Sequence, residues 1–444
     1  MKKIITITIA KILIFLGRLL HRGSALPGDI ALRIYPDILR KISIPTLSIA
    51  VTGTTGKTST TQMIAKVFEE SGFLVSHNIS GSNLIGGVAT LLLNNVTISG
   101  KSKADVLVLE IDERYAKIVF EYFKPNYFVV TNLSRDQLAR NGHFDIVYED
   151  IKRVISDDMH LVLNADDPLV VQLVDEHKGK VTYFGVGKHS DVEHSVSMDN
   201  LDLCYCPKCH KKLIFDYYHF GNLGSYHCPS GDFVRPKCDY EVTNIEMATG
   251  EFEINNKVKI HMQYDALYNI YNNLVVYAVG NLCLLKDDTI LSVLNGFNYQ
   301  VKRFEKFTLA GRSGYILTSK NETPISYYQS LKYVSKDSDL KTIIVGFLRV
   351  SGRYELKDLS WLWDVDFELL DNDSIDKVVC VGPYADELAA RIWHAGIDEN
   401  KLVKVEASNK LLETVENKTA GTIYAIVYFD MAKELSAMLE GKME

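Results

Sequence analysis

The sequence predicts an α/β protein built on a parallel sheet, with a small cysteine-bearing insertion and a second, smaller α/β domain, and three observations carry that expectation. Short β-branched or apolar runs alternate with stretches of helical periodicity at 46–60, 103–113, 127–140, 161–168 and 181–185, a pattern that covers both faces of a parallel sheet. The alternation stops at 201–240, where cysteines crowd together. It resumes beyond 315, with apolar strands at 342–347, 377–382 and 423–429. The expected divisions are a lead-in helix and loop at 1–45, a central phosphate-binding domain at 46–310 with its insertion at 201–240, and a C-terminal α/β domain at 311–444.

Bulk properties agree with several domains, since 444 residues exceed what one hydrophobic core usually serves. With 49 Lys and Arg against 56 Asp and Glu, there is no global electrostatic case for a nucleic-acid binder. Residues 1–20 (MKKIITITIAKILIFLGRLL) are mostly apolar, yet Lys11 and Arg18 interrupt the run and no small-x-small cleavage signal follows. An amphipathic or buried helix is expected there rather than a signal peptide or a membrane span, with peripheral membrane contact as the lesser option. The cytoplasm is the expected address. Pro27-Gly28 and Pro36 make 23–42 a structured lead-in of short helical pieces.

The stretch 46–60 (TLSIAVTGTTGKTST) reads as a strand, a glycine turn and a helix. Gly53, Thr54, Thr55 and Gly56 can turn backbone N–H groups toward an anion, Lys57 adds a mobile positive charge, and Thr58 offers a hydroxyl to Mg²⁺. Val51 stands where the longer nucleotide-loop pattern has its first glycine, so the match is to a shorter form. The strand in 103–113 ends in Glu110, Asp112 and Glu113, where an α/β ATPase holds its Mg²⁺. Asn132 is expected at the edge of the same crevice. The glycine-rich stretch 77–87 suits either a substrate wall or a plain surface loop.

In the insertion, Cys206-Pro207-Lys208-Cys209 has the spacing of a zinc knuckle. Cys228 would open a second knuckle, but its partner three residues on is Gly231. Cys238 is the nearest other thiol and the expected fourth Zn²⁺ ligand, with His227 and Cys204 behind it. Beyond the insertion, 241–262 alternates as a strand pair turning at Thr249-Gly250, 266–282 forms a helix with Asn269 and Asn272 on one face, and 287–297 forms another. Residues 304–314, with Gly311 and Gly314, separate the core from the C-terminal domain.

Taken together, GTTGKT at 53–58, LEIDE at 109–113, TNLSRDQL at 131–138, LNADDP at 163–168 and LYNIYN at 267–272 make the chain resemble the Mur ligase family. The cysteine ribbon, SWLWDVDFE at 360–368 and HRGSALPGDIAL at 21–32 narrow the resemblance to the subgroup that amidates a lipid-linked peptidoglycan peptide. The resemblance implies a Mur-ligase-like central ATPase domain and a smaller Rossmann-like C-terminal domain. It implies that ATP activates the D-glutamate α-carboxyl of the lipid II stem peptide, and that ammonia comes from a partner glutaminase of the GatD type. Carried onto this chain, it places Lys57 on the terminal phosphates, Thr58 and Glu110 on Mg²⁺, and Asn269 and Arg303 on ATP. Membrane contact would then come through the lipid-linked substrate.

The chain departs from the family pattern at Lys302, where a glycine precedes Arg-x-Glu, and at 320–324, which reads Lys-Asn-Glu-Thr-Pro. A Mur-type ligase acting on another carboxylate and a non-catalytic paralogue are the alternative readings. The subgroup resemblance makes Asp358 the third member of the partner glutaminase's catalytic triad. On residue type alone, Asp358 beside Trp361 and Trp363 is equally a helix cap.

Overall fold

The structure is a computed structural model and describes residues 1–20, 25–78, 83–135, 143–190, 192, 205–246, 249–262, 267–297, 304–320, 322–350 and 358–441. These residues cluster into two compact units, the larger drawn from residues 1–298 and the smaller mainly from 299–444.

The larger unit is organised on nine strands: β1 (Leu47–Thr52), β2 (Val75–His77), β3 (Val106–Glu110), β4 (Tyr127–Val130), β5 (His160–Asn164), β6 (Val181–Val186), β9 (Tyr240–Glu246), β10 (Glu251–Ile254) and β11 (Val258–His261). Their order across the sheet is β11-β10-β9-β6-β5-β4-β1-β3-β2. Pairings from β2 through to β9 are parallel, and β10 and β11 close that edge antiparallel. The remaining strands, β7 (Ile214–Phe220) and β8 (Leu223–His227), form a separate hairpin in the insertion. Strands β1, β3 and β4 are buried on both faces because helices cover both, which is why they read as continuous apolar runs.

Helices α1 (Lys2–Leu19) and α2 (Leu26–Ile34) belong to this unit rather than standing apart. Ile7, Ala10, Ala31 and Ile38 share one core with Val88, Phe128 and Leu161. Helix α3 (Lys57–Glu70) follows β1, and α4 (Ile85–Asn94) packs on α2. That approach needs glycine: a Cβ on Gly28 would lie 2.0 Å from the Gly86 carbonyl oxygen. The chain continues through α5 (Ala116–Val119), α6 (Phe144–Lys152), α7 (Pro168–Val171), α8 (Leu267–Leu282) and α9 (Asp287–Gly296). Among the described residues, no helix is long and apolar enough to cross a membrane.

In the smaller unit, β12 (Phe304–Leu309), β13 (Arg312–Ser319), β14 (Lys341–Gly346), β15 (Ile375–Val381), β16 (Leu402–Val405) and β17 (Thr422–Tyr428) take the order β12-β13-β17-β14-β15-β16. Only the β12–β13 pairing is antiparallel. Helices α10 (Pro324–Ser335), α11 (Ala385–His394), α12 (Leu411–Lys418) and α13 (Phe429–Glu440) sandwich this sheet. The strand period of two splits its core: Ile343, Val345 and Val378 face one layer, Ile344, Val379 and Val381 the other. The separator expected at 304–314 is instead the β12–β13 hairpin. Ala310 (φ 49°) and Gly311 (φ 76°) make its two-residue turn, and the positive φ at both positions suits the strand twist.

One buried carboxylate ties the larger unit together. Asp166, fully buried after β5, accepts hydrogen bonds from the Val186 N–H of β6 at 2.7 Å, the Arg235 Nε of the insertion at 2.6 Å and the Tyr271 hydroxyl of α8 at 2.6 Å. Burial works against the Arg235 charge, but Asp166 and Cys238 beside it hold its pKa above the ordinary arginine value. Burial lowers the pKa of His219, whose Nε2 lies 2.9 Å from the Val186 carbonyl, a partner that only an N–H can serve. Removing one member of such a group strands a charge. Asp166→Ala is therefore expected to cost about 3–5 kcal/mol in chemical denaturation. Asp166→Asn should cost less, and equal stability of the wild type and the alanine variant would refute the tie.

Candidate functional site

The turn after β1 is built for an anion. Gly53 (φ 131°) and Gly56 (φ 84°) both occupy the left-handed region, and Gly56 caps α3. A Cβ on Gly53 would meet the Thr131 hydroxyl at 2.2 Å, and one on Gly56 would meet the Asn272 side-chain oxygen at 2.4 Å. The turn is also braced from β4. Thr54 donates its N–H to the Asn132 carbonyl at 2.8 Å, and Thr55 donates its N–H to the Asn132 side-chain oxygen at 3.0 Å. Thr131 returns a hydroxyl bond to the Thr55 carbonyl at 2.7 Å. Asn132 therefore shapes the loop, beyond its expected place at the crevice edge.

Parallel register brings the carboxylates level with this loop, since Val51 pairs with Glu110 and Thr52 with Val130. Glu110 is buried at the end of β3, where Asn83 Nδ2 donates to its Oε1 at 3.3 Å and Asn78 holds its backbone from both sides. Thr58 is half-buried in the first turn of α3. Lys57 donates to Glu113 Oε1 at 2.6 Å and to the Thr54 carbonyl at 3.3 Å, and it also bonds the Gly53 carbonyl. Burial, aided by neighbouring Asp112, raises the Glu113 pKa above the ordinary carboxylate value, and Lys57 works in the opposite direction. Glu113 was one of three candidate acids in the sequence; its role as the counter-ion of Lys57 needed the fold.

Helix α8 lies across the loop. Asn272 accepts the Thr60 hydroxyl at 3.3 Å, while Asn269 is buried with neither its side-chain N nor its O in a hydrogen bond among the described residues. Such an amide calls for a donor and an acceptor from water or a ligand. A cavity opens between the loop and α8, with Phe184 of β6, Phe220 and Leu223 of the β7–β8 hairpin, and Tyr268 and Tyr271 of α8 on its walls. None of these five was a candidate site residue in the sequence, although Tyr268 and Tyr271 belong to LYNIYN. Arg303, expected on the nucleotide, lies outside the described residues, as does Cys204.

In the insertion, the Sγ atoms of Cys206, Cys209 and Cys228 and a carboxylate oxygen of Asp232 all lie within 4.8 Å of one another. The Lys208 and Ser230 N–H groups each donate to a cysteine sulfur, Cys206 and Cys228 respectively, at 3.4 Å, so both turns carry knuckle geometry. Three soft thiols with one carboxylate make a four-donor set of a type that fits Zn²⁺. Cys238, the expected fourth ligand, stands outside this cluster. Its sulfur accepts from Arg235 Nη2 at 3.3 Å and packs beside Gly185, and burial pushes its thiol well up. Sequence proximity favoured a cysteine; the tight turn at Gly231 (φ 75°) presents the next residue, Asp232.

Asp358, in the smaller unit, is exposed and accepts the Ser360 N–H at 2.9 Å, just ahead of the 3₁₀ turn Ser360–Asp364. Trp361 is buried, whereas Trp363 is exposed against His394.

Two protein-family models match the chain: Mur ligase middle domain over residues 51–214, and MurT ligase C-terminal over residues 319–431. The chain is 29% identical over 426 residues to the lipid II isoglutaminyl synthase (glutamine-hydrolyzing) subunit MurT of Staphylococcus aureus (strain COL), covering 95% of this chain and 94% of that one. It is 28% identical over 433 residues to the same subunit of Streptococcus pneumoniae (strain ATCC BAA-255 / R6), with the same coverage. Among solved structures, it is similar in fold to a pseudomurein peptide ligase type C from Methanothermus fervidus, with TM-score 0.67, 20% identity and coverage of 92% of this chain and 81% of that one. MurF from Acinetobacter baumannii shares the fold with TM-score 0.63 at 14% identity, over 93% of this chain and 80% of that one.

The Lys57–Glu113 pair makes a pH-dependent prediction. Lys57→Ala should destabilise the protein by about 3–5 kcal/mol, because a buried carboxylate loses its cation. Without Lys57, the already raised Glu113 pKa rises further. A raised folded-state pKa contributes stability that is lost as pH rises through it, so the cost should be smaller near pH 5 than near pH 8. Glu113→Gln in the same chain should restore stability; a cost independent of pH would refute the pairing.

Proposed function

Because the chain belongs to the Mur ligase family, we propose that it is the ATP-using subunit of a lipid II isoglutaminyl synthase. Its substrate is the lipid II stem peptide, whose D-glutamate α-carboxyl is amidated to D-isoglutamine with ammonia from a partner glutaminase of the GatD type. The observation that carries the reading is the braced loop at 53–58, whose glycines, cation and helix start form a phosphate cradle at the C-terminal ends of parallel strands. Similarity to MurT subunits along 95% of the chain supports the acceptor. We place the reaction in the cytoplasm, at the inner face of the membrane that carries the lipid-linked peptide.

A carboxylate resists ammonia until an oxygen is converted to a leaving group. The carboxylate oxygen attacks the γ-phosphorus, ADP departs, nitrogen then attacks the acyl carbon, and phosphate leaves with the C–O bond electrons as nitrogen loses a proton. In this scheme Lys57 shifts its ammonium between Glu113 and the terminal phosphates, and the loop N–H groups orient them. Thr58 and Glu110, hard oxygen donors beside the loop, fit Mg²⁺, which when bound neutralises phosphate charge. The Asn269 amide, which has no hydrogen-bond partner among the described residues, fits a nucleotide, with Arg303 as its second contact.

The decisive assay supplies the purified chain and its glutaminase with ATP, glutamine and lipid II. The expected product exchanges a carboxyl hydroxyl for an amino group, read by mass spectrometry. An unmodified peptide, or one extended by an amino acid, would overturn the reading. Lys57→Ala/Glu113→Gln should fold and form no product.

Asp358 is proposed to orient the partner's catalytic histidine, its carboxylate held in place by the Ser360 N–H. Asp358→Asn should abolish glutamine hydrolysis in the complex while amidation from added ammonium survives. Loss of both activities would place Asp358 elsewhere.

Zn²⁺ is proposed at Cys206, Cys209, Cys228 and Asp232. Elemental analysis should find one zinc per chain. Asp232→Ala should weaken retention against chelators by at least roughly 10-fold, the least that losing even an outer-shell partner costs, and Cys238→Ser should leave zinc content unchanged; loss of zinc in the Cys238 variant would restore that residue as a ligand.

A further inference from the structure

Helix α1 presents two different faces. Thr6, Ile7, Ala10 and Ile14 are buried against the larger unit. At 100° per residue, the positions Ile4, Phe15, Thr8, Leu19, Ile12, Ile5 and Leu16 fill the opposite side as one arc of about 120°. Six of the seven are large and apolar and lie exposed, Phe15 by 63% and Leu19 by 64%. Thr8 is the sole polar member, and it turns its hydroxyl back onto the Ile4 carbonyl at 2.9 Å. Leu20, just past the end of the helix, is exposed as well.

The charged residues of this N-terminal segment have one sign. Residues 1–28 contain Lys2, Lys3, Lys11, Arg18 and Arg22 and no acid, whereas the whole chain carries a net charge of −7. By the same helical spacing, Lys11 and Arg18 border one edge of the arc and Lys2 the other.

We propose that this face of α1 docks on an anionic lipid bilayer, with the helix lying in the plane of the headgroups. A wide apolar arc sinks into the acyl boundary while flanking cations meet lipid phosphates, and the helix, too polar to span, stays at the surface. A second copy of the chain is a poorer occupant. Two-fold packing of these faces would set cationic borders against cationic borders. A protein partner would ordinarily find polar groups to pair with on such a surface, and the arc offers none whose hydrogen bond is not already made within the helix. The inference does not depend on which carboxylate is amidated, though an acceptor carried on a lipid would be reached from this position.

The test is co-sedimentation of the full chain, alone and with its glutaminase, on vesicles of phosphatidylcholine with about a third phosphatidylglycerol. Binding is expected on these and at least about tenfold weaker on phosphatidylcholine alone, with high salt weakening it further. Phe15→Glu/Leu19→Glu should lower binding at least about tenfold while circular dichroism and ATP turnover stay unchanged. A second variant, Ile12→Trp, leaves the face apolar, and brominated lipid should quench its added emission. The proposal is overturned by any of four results: no binding to anionic vesicles; equal binding by the double variant; no quenching in the Ile12→Trp variant beyond that of the wild type; or loss of a dimer, or of the glutaminase, on making the double variant, which would assign the face to a protein.

Discussion

The larger unit depends on a carboxylate that has no access to water. Asp166 sits at the end of β5, and its two oxygens are shared among the backbone of β6, the guanidinium of Arg235 and the hydroxyl of Tyr271. The attraction is strong because the surroundings are apolar, and for the same reason a missing partner is costly. Three segments far apart in sequence are thereby held at one point: the end of a parallel strand, the cysteine insertion and the start of α8. The next residue extends the junction. Asp167 caps α7 and also accepts the Leu133 N–H at 2.7 Å, so it reaches the β4 loop that braces the phosphate turn.

This arrangement explains what could be read from the residues alone. The strands of the central sheet were legible because burial on both faces demands unbroken apolar runs, as in VLVLE of β3 and FVV of β4. The tight turn after β1 was legible because its backbone takes positive φ at Gly53 and Gly56, which favours glycine there. The similarity to Mur ligases agrees with the reading of the sheet.

What stayed hidden was decided by long-range pairing. The β12–β13 turn has the glycine content of a linker, and only antiparallel partnership makes it a hairpin. Cys238 satisfied a count of thiols but lies with Arg235 on the sheet side of the insertion, while Asp232, a residue type found all over protein surfaces, stands among the cysteines. The walls of the cavity are ordinary aromatic and aliphatic residues, and nothing local separates Phe184 or Phe220 from core side chains. The exposed face of α1 was half legible. Its amphipathic character is in the sequence, but which apolar residues the domain would leave uncovered depends on how α1 packs.

The insertion connects the metal set to the cavity by a short physical route. Cys228 directly follows β8, Cys206 and Cys228 share a small core with Tyr226 and Phe233, and Tyr226 donates its hydroxyl to the Ala165 carbonyl at 3.2 Å beside Asp166. The same hairpin carries Phe220 and Leu223 onto the cavity wall. A core this small buries little apolar surface, so a metal crosslink between its two knuckles would supply rigidity that packing alone cannot. On that reasoning the donor set acts through position. A metal held there would fix the hairpin whose aromatic end borders the cavity beside the turn after β1, and the Asp166 carbonyl, which accepts the Gly224 N–H at 2.9 Å, ties that same end to the sheet.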